Sequence, residues 1–269
     1  MKQPIRYTIL SAVLCFCMEV CAESIDLFIM AGQSNMVGAQ GDASGYPQKF
    51  LELDAQIHFY WVTPGYSSSQ EKWVYMKPQE GLFPSGHFGP EVTFSRLLRK
   101  AGYHPAIFKF SAGSSSLASH WGTPGDGGLY DKMILEYDNA VSQLKKQGHT
   151  VEVRAFVWIQ GESDATIELA DGYFSRLKGL IENIRINMVK NPKLPVITSV
   201  NERHPYVKKF PVIVEFHQEI AKGDNHIVFI PMIGLEQHPD THLTPSGLVE
   251  HGKRLFDGFN SFAASQGSR

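Results

Sequence analysis

The chain has 269 residues, is 43% hydrophobic and 19% charged, and carries a formal net charge of −2. That balance is too apolar and too weakly charged for a disordered chain. The near-equality of 25 basic and 27 acidic residues gives no electrostatic reason to expect nucleic acid or an anionic membrane as the main partner. All three cysteines, Cys15, Cys17 and Cys21, fall in the first 21 residues. They sit in a segment with a basic head (Lys2, Arg6), an apolar run from Tyr7 to Met18, and small residues at Val20 and Ala22. This is the composition of a secretory signal with cleavage after Ala22; the run is shorter than the roughly 20 residues that span a bilayer. The expectation is a signal peptide over 1–22 and a secreted or periplasmic, cysteine-free domain over 23–269, without stable membrane insertion. No thiolate nucleophile, metal or cofactor is expected in that domain.

From residue 23 on, apolar runs alternate with amphipathic stretches. Strands are expected at Ile25–Ala31, Ala106–Phe110, Val151–Ile159, Leu194–Val200 and Ile227–Ile233, with an extra one at Ile57–Val62. Helical spacing of three and four carries Phe94, Leu97 and Leu98, then Met133 to Leu144, then Phe174 to Met188, and finally Pro245 to Phe262. Thr244 before Pro245 is a good helix start, a capping hydroxyl followed by proline at the first position. Continuous apolar strands between helices argue for an α/β fold with a parallel sheet covered on both faces. The length reads as one domain, with residues 40–90 as a long excursion.

Sites in such sheets form at the carboxyl ends of strands. There lie Gly32-Gln33-Ser34-Asn35-Met36, Ser111 to Leu117, Gln160-Gly161-Glu162-Ser163-Asp164, and a last loop ending His238-Pro239-Asp240-Thr241-His242. Together they hold the parts of an acyl-transfer site. Ser34 is the candidate nucleophile, activated by His242 as base, with His238 as an alternative base. A carboxylate is expected to orient the imidazole. The backbone N–H groups of Ser34 and Gly113 and the amide of Gln160 are candidate oxyanion donors. Trp121 and the aromatic residues of the excursion could stack on sugar rings or pack a minor core. Arg203 and His204 could bind a substrate carboxylate.

The Gly-Gln-Ser-Asn-Met and Gln-Gly-Glu-Ser-Asp blocks, with Gly113-Ser114-Ser115, Gly89-Pro90-Glu91 and a terminal Asp-x-His, resemble the SGNH hydrolases. Within them they resemble the sialate O-acetylesterase and acetylxylan esterase branch, over about Asp26 to Arg254. The resemblance implies a three-layer α/β/α sandwich with a flavodoxin-like sheet of order 2-1-3-4-5. It also implies metal-free removal of O-acetyl groups from a carbohydrate such as xylan or sialic acid, through an acetyl-enzyme on Ser34. Met36 stands where an α/β-hydrolase elbow has glycine. Two departures from the branch are Ser114 in place of a second glycine and Pro239 where the acid usually precedes the histidine by three. In related acetylxylan esterases a Glu in the Gln-Gly-Glu segment takes that role, which keeps Glu162 open beside Asp240. Other readings are a lipid esterase or thioesterase on the same fold and a non-catalytic carbohydrate-binding protein.

Overall fold

The computed structural model describes residues 24–239 and 241–266. The expected signal segment and Asp240 therefore lie outside the described residues. Along the chain come β1 (Ser24–Gly32), α1 (Ser34–Val37), β2 (His58–Thr63), β3 (Ser67–Ser68), β4 (Val74–Tyr75), α2 (Glu91–Lys100) and β5 (Pro105–Ser111). They are followed by α3 (Leu129–Lys146), β6 (Thr150–Ile159), α4 (Tyr173–Asn183), β7 (Val196–Ser199), α5 (Pro205–Lys209), α6 (Val212–Gly223), β8 (Ile227–Phe229) and α7 (Pro245–Gln266).

The sheet order is β3-β2-β5-β1-β6-β7-β8, with β4 paired to β2. Only β3 and β4 run antiparallel to their neighbour. The five strands expected from the apolar runs occupy the order β5-β1-β6-β7-β8, which is the flavodoxin order 2-1-3-4-5, and the extra strand β2 adds parallel to β5 outside it. Strand β1 shows why two layers of helix are needed. Its side chains alternate, Leu27, Ile29 and Ala31 into one core and Phe28 and Met30 into the other, as the two-residue period of a strand requires. The first core is closed by Met133 and Tyr137 of α3, Leu177 and Ile181 of α4 and Ile213 and Ile220 of α6. The second is closed by Met36 of α1, Val92, Phe94 and Leu98 of α2, and Leu248, Leu255 and Phe259 of α7.

Local detail departs from expectation where backbone chemistry intervenes. Strand β8 ends at Phe229, short of the expected Ile233, because Pro231 has no N–H for the ladder. Helix α6 was not expected, since Val212-Ile213-Val214 is a β-branched run of strand-like composition. Burial of Ile213, His217 and Ile220 at helical spacing against the sheet decides it. Thr244 does cap α7: its Oγ1 accepts from the Gly247 N–H at 3.2 Å. Among the described residues no helix is long and apolar enough to cross a membrane.

Two histidines are buried as neutral groups under the sheet's carboxyl edge. His217 Nε2 sits 3.1 Å from the Gln160 carbonyl and from the Tyr173 hydroxyl, and His251 Nε2 sits 3.0 Å from Ser199 Oγ. Burial pushes both down to about 3 from an ordinary value of 6.5. A depressed histidine stabilises the fold fully above its unfolded value, and that stability is lost as pH falls through 6.5 towards the folded value. We expect the Tm to fall steadily from neutral pH towards pH 4, and His217→Gln, which keeps a donor for the Gln160 carbonyl, to flatten that limb. An unchanged slope in the variant would remove His217 from the account.

Candidate active site

The site is organised by register. Gly32 of β1 pairs with Ser111 of β5 and with Ile159 of β6, and Ile159 pairs with Ser199 of β7. Two residues beyond this row stand Ser34, Gly113, Gly161 and Asn201, side by side on one edge. The chain turns sharply out of β1 at Gly32, whose φ is +149° and whose Cβ would lie 2.1 Å from the Ile159 carbonyl oxygen. Only glycine fits there. The next residue is anchored by its Gln33 N–H to that same carbonyl at 2.9 Å. Ser34 then opens the single turn α1 and is partly exposed. As the first helical residue it has an N–H without an intrahelical acceptor.

Glu162 ties the turn together. It is 2% exposed. Its Oε2 accepts from Gln33 Nε2 at 2.5 Å and its Oε1 accepts from the Asn201 N–H at 3.0 Å. The nearby Asn35 side chain favours its charged form. Burial raises its pKa, with the Glu202 carboxylate adding to the rise and the donors opposing it. Gln33, which precedes Ser34, is thus fixed by this carboxylate. Ser163 Oγ donates to Gln33 Oε1 at 2.7 Å and completes the clamp on that amide.

The histidine loop is brought to the same place by the same asparagines. Asn35 Oδ1 accepts from the Leu243 N–H at 3.0 Å, and Asn201 Nδ2 donates to the Thr241 carbonyl at 2.7 Å. The neighbours of His242 on both sides are therefore bonded to residues next to, or clamped with, Ser34. Thr241 has φ +91°, a conformation rarely adopted by a β-branched residue. Its strain sits where the backbone turns to present His242. Burial first, and His242 second, lower the His204 pKa.

Two expected roles are corrected by the geometry, those of Gln160 and Trp121. Gln160 is fully buried, and its Nε2 donates to the Ser115 carbonyl at 3.1 Å and to Asp164 Oδ2 at 2.7 Å. Both of its hydrogens are used inside the protein, so the amide is not an oxyanion donor. Asp164 also accepts from the Leu117 and Ala118 N–H groups, at 2.6 and 3.0 Å, and Gln160 and Asp164 together shape the loop that carries Gly113. Trp121 is fully buried, edge-on to Trp158 at 4.8 Å, with its Nε1 donating to Ser115 Oγ at 3.0 Å. It is core and offers no face to a sugar. Arg203 donates through Nη2 to the Leu235 carbonyl and holds the loop after β8, while its Nε is left without a hydrogen-bond partner among the described residues.

The excursion's aromatic residues divide in the same way. Phe59, Tyr60 and Trp61 are buried core, Trp73 donates to the Ala140 carbonyl at 2.8 Å, and Tyr66 and Tyr75 are exposed. Gly113 is exposed, and a Cβ there would meet no atom within 4 Å. The left-handed residue of the loop is its neighbour Ser114, at φ +55°. Asn201 and Asn35 carry roles that motif reading missed. The available signal was their position, Asn201 two residues past a strand end and Asn35 beside the serine.

The geometry has counterparts among solved structures. A protein from Arabidopsis thaliana superposes with a TM-score of 0.68 at 23% identity, over 88% of this chain and 98% of that one. A carbohydrate acetylesterase from Xanthomonas citri gives 0.60 at 20% identity, over 89% of this chain and 56% of that one. The protein NanS gives 0.61 at 14% identity, over 91% and 99%. At these identities the likeness is one of fold. No curated protein matches the chain in sequence. The family model described as "Carbohydrate esterase, sialic acid-specific acetylesterase" matches residues 24–261, which takes in every strand and every loop of the site. The chain belongs to that family of carboxylic ester hydrolases.

Proposed function

We propose that this protein is an exported serine esterase that removes O-acetyl groups from a carbohydrate through an acetyl-enzyme on Ser34. The observation that carries the reading is the tie between Ser34 and His242. Asn35, next to the serine, binds the backbone next to the histidine, and Glu162 fixes Gln33 on the other side of the serine.

In the proposed reaction His242 takes the Ser34 hydroxyl proton as Oγ attacks the acetyl carbonyl. The oxyanion is met by the Ser34 and Gly113 N–H groups, two donors in place of three now that Gln160 is committed elsewhere. Collapse expels the sugar hydroxyl with the proton from His242, and water then releases acetate by the same steps. In this reading Asp240, two residues before His242, orients the imidazole, while Glu162 is engaged with Gln33 and Asn201 at the serine turn. The apolar run over Tyr7–Met18 supports export.

The test is a panel of acetylated xylan, acetylated pectin, O-acetylated sialic acid and p-nitrophenyl esters of increasing chain length, scored for released acid. We expect acetate from at least one carbohydrate and a kcat/KM that falls as the acyl chain lengthens. Activity that rises with chain length would overturn the reading in favour of a lipid esterase or thioesterase. Carbohydrate binding without hydrolysis would make it a binding protein on an esterase scaffold.

A further inference from the structure

Behind α1, on the side away from the sheet edge, lies an ion pair that the proposed chemistry does not use. Lys109 of β5 and Glu91 at the start of α2 are both completely buried, with Nζ 2.8 Å from Oε2. The ammonium also donates to the Val37 carbonyl, the last of α1, at 3.2 Å. That carbonyl is one of those a helix end leaves without an internal partner. The other carboxylate oxygen, Oε1, accepts from the Gly89 N–H at 2.9 Å and from Gln79 Nε2 at 3.1 Å. Gly89 packs so close that a Cβ would stand 2.7 Å from the Met36 carbonyl oxygen and 2.9 Å from Lys109 Nζ. Gln79 in turn exchanges both backbone hydrogen bonds with His87, at 2.7 and 2.8 Å. The excursion therefore reaches the underside of the serine turn through one charge cluster.

A four-residue helix cannot hold its own shape, since even helices of roughly 12 residues are marginal in isolation. Its position must come from what touches it. A buried ion pair is a poor device for stability alone, because well-packed apolar residues of similar volume are often as stable or more so. What a charge cluster adds is a defined position for the groups it bonds, here the carbonyl end of the turn whose other end is Ser34. We propose that the Lys109–Glu91 pair, with Gln79, is a positioning device that sets the placement of α1 and so governs the chemical step without touching substrate.

The proposal rests on Ser34 as nucleophile and goes beyond it. It is tested with the neutral double variant Glu91→Gln/Lys109→Met and with the milder Gln79→Met, each in the full chain. Active sites are counted by mass after labelling with phenylmethylsulfonyl fluoride, and turnover is followed on p-nitrophenyl acetate. We expect kcat per labelled site to fall roughly 10–100-fold in the double variant, the scale of a small misplacement of a reacting group. The KM should stay within about twofold and the labelling rate should fall with kcat. A lowered Tm with kcat per labelled site within about twofold of wild type would reduce the pair to a structural role and overturn the proposal. Should the double variant not fold, Gln79→Met decides: a loss of about threefold or more in kcat supports the proposal, and unchanged kcat overturns it. Full activity of Ser34→Ala would instead sink the nucleophile reading itself, so the two failures are distinguishable.

Discussion

Replacing Ser34 by alanine lowers kcat by roughly 10⁴–10⁶, the scale on which a serine hydrolase loses activity when its nucleophile is removed. The expectation follows from where the side chain stands. Ser34 begins a single helical turn whose backbone is held by bonds that alanine keeps: the Gly38 N–H to the Ser34 carbonyl at 3.0 Å and the Gln33 N–H to the Ile159 carbonyl at 2.9 Å. The Gln33 amide remains clamped to Glu162, and Asn35 Oδ1 still accepts from the Leu243 N–H. Ser34 is partly exposed, and a surface change of this kind shifts stability by no more than about 0.5 kcal/mol. Activity and Tm should therefore separate cleanly. Acetate release from p-nitrophenyl acetate and from acetylated xylan is measured on wild type and variant, with thermal melts alongside. A variant that stays within about tenfold of wild type on both substrates would end the acetyl-enzyme mechanism.

The layers of the fold were legible because the strands are nearly continuous apolar runs, as strands covered on both faces must be. The sheet edge carrying the site was legible for the same reason, since the blocks after β1, β5 and β6 begin where those runs stop. What could not be read was the direction of each polar side chain once there. Gln160 and Glu162 look equally available in Gln-Gly-Glu-Ser-Asp, yet one amide is spent on Asp164 and Ser115 and the other residue becomes the hub of the serine turn. Trp121 follows a small-residue loop and reads as a cleft aromatic. Only the third dimension shows Trp158 and Phe110 already against it. Helix α6 was hidden by its β-branched start, a case of tertiary burial overriding local propensity. The Glu91–Lys109 pair was invisible for a different reason. Its members are 18 residues apart on different elements, and nothing in either local pattern announces a buried charge.

Asp240→Asn should cost about 10³–10⁴ in kcat and leave the Tm unchanged, the mark of an acid that only orients the catalytic imidazole. Glu162→Gln should behave differently. The buried carboxylate accepts from Gln33 Nε2 and the Asn201 N–H. A glutamine has one oxygen to offer, and its amide would point hydrogens at groups that are themselves donors. Leaving a buried donor unsatisfied costs about 1–3 kcal/mol, so this variant should lose stability together with activity. Its acid dependence has a sign as well. A carboxyl whose folded pKa is raised stabilises the fold at low pH, and that contribution is lost as pH rises through the raised value. The Tm gap between wild type and Glu162→Gln should accordingly depend on pH, whereas the Asp240→Asn melt should track wild type throughout. Steady-state kinetics and melts on the two variants give four numbers that separate the roles. If Glu162→Gln keeps the wild-type Tm while losing about 10⁴ in kcat, and Asp240→Asn remains fully active, the assignments are exchanged and Glu162 orients His242.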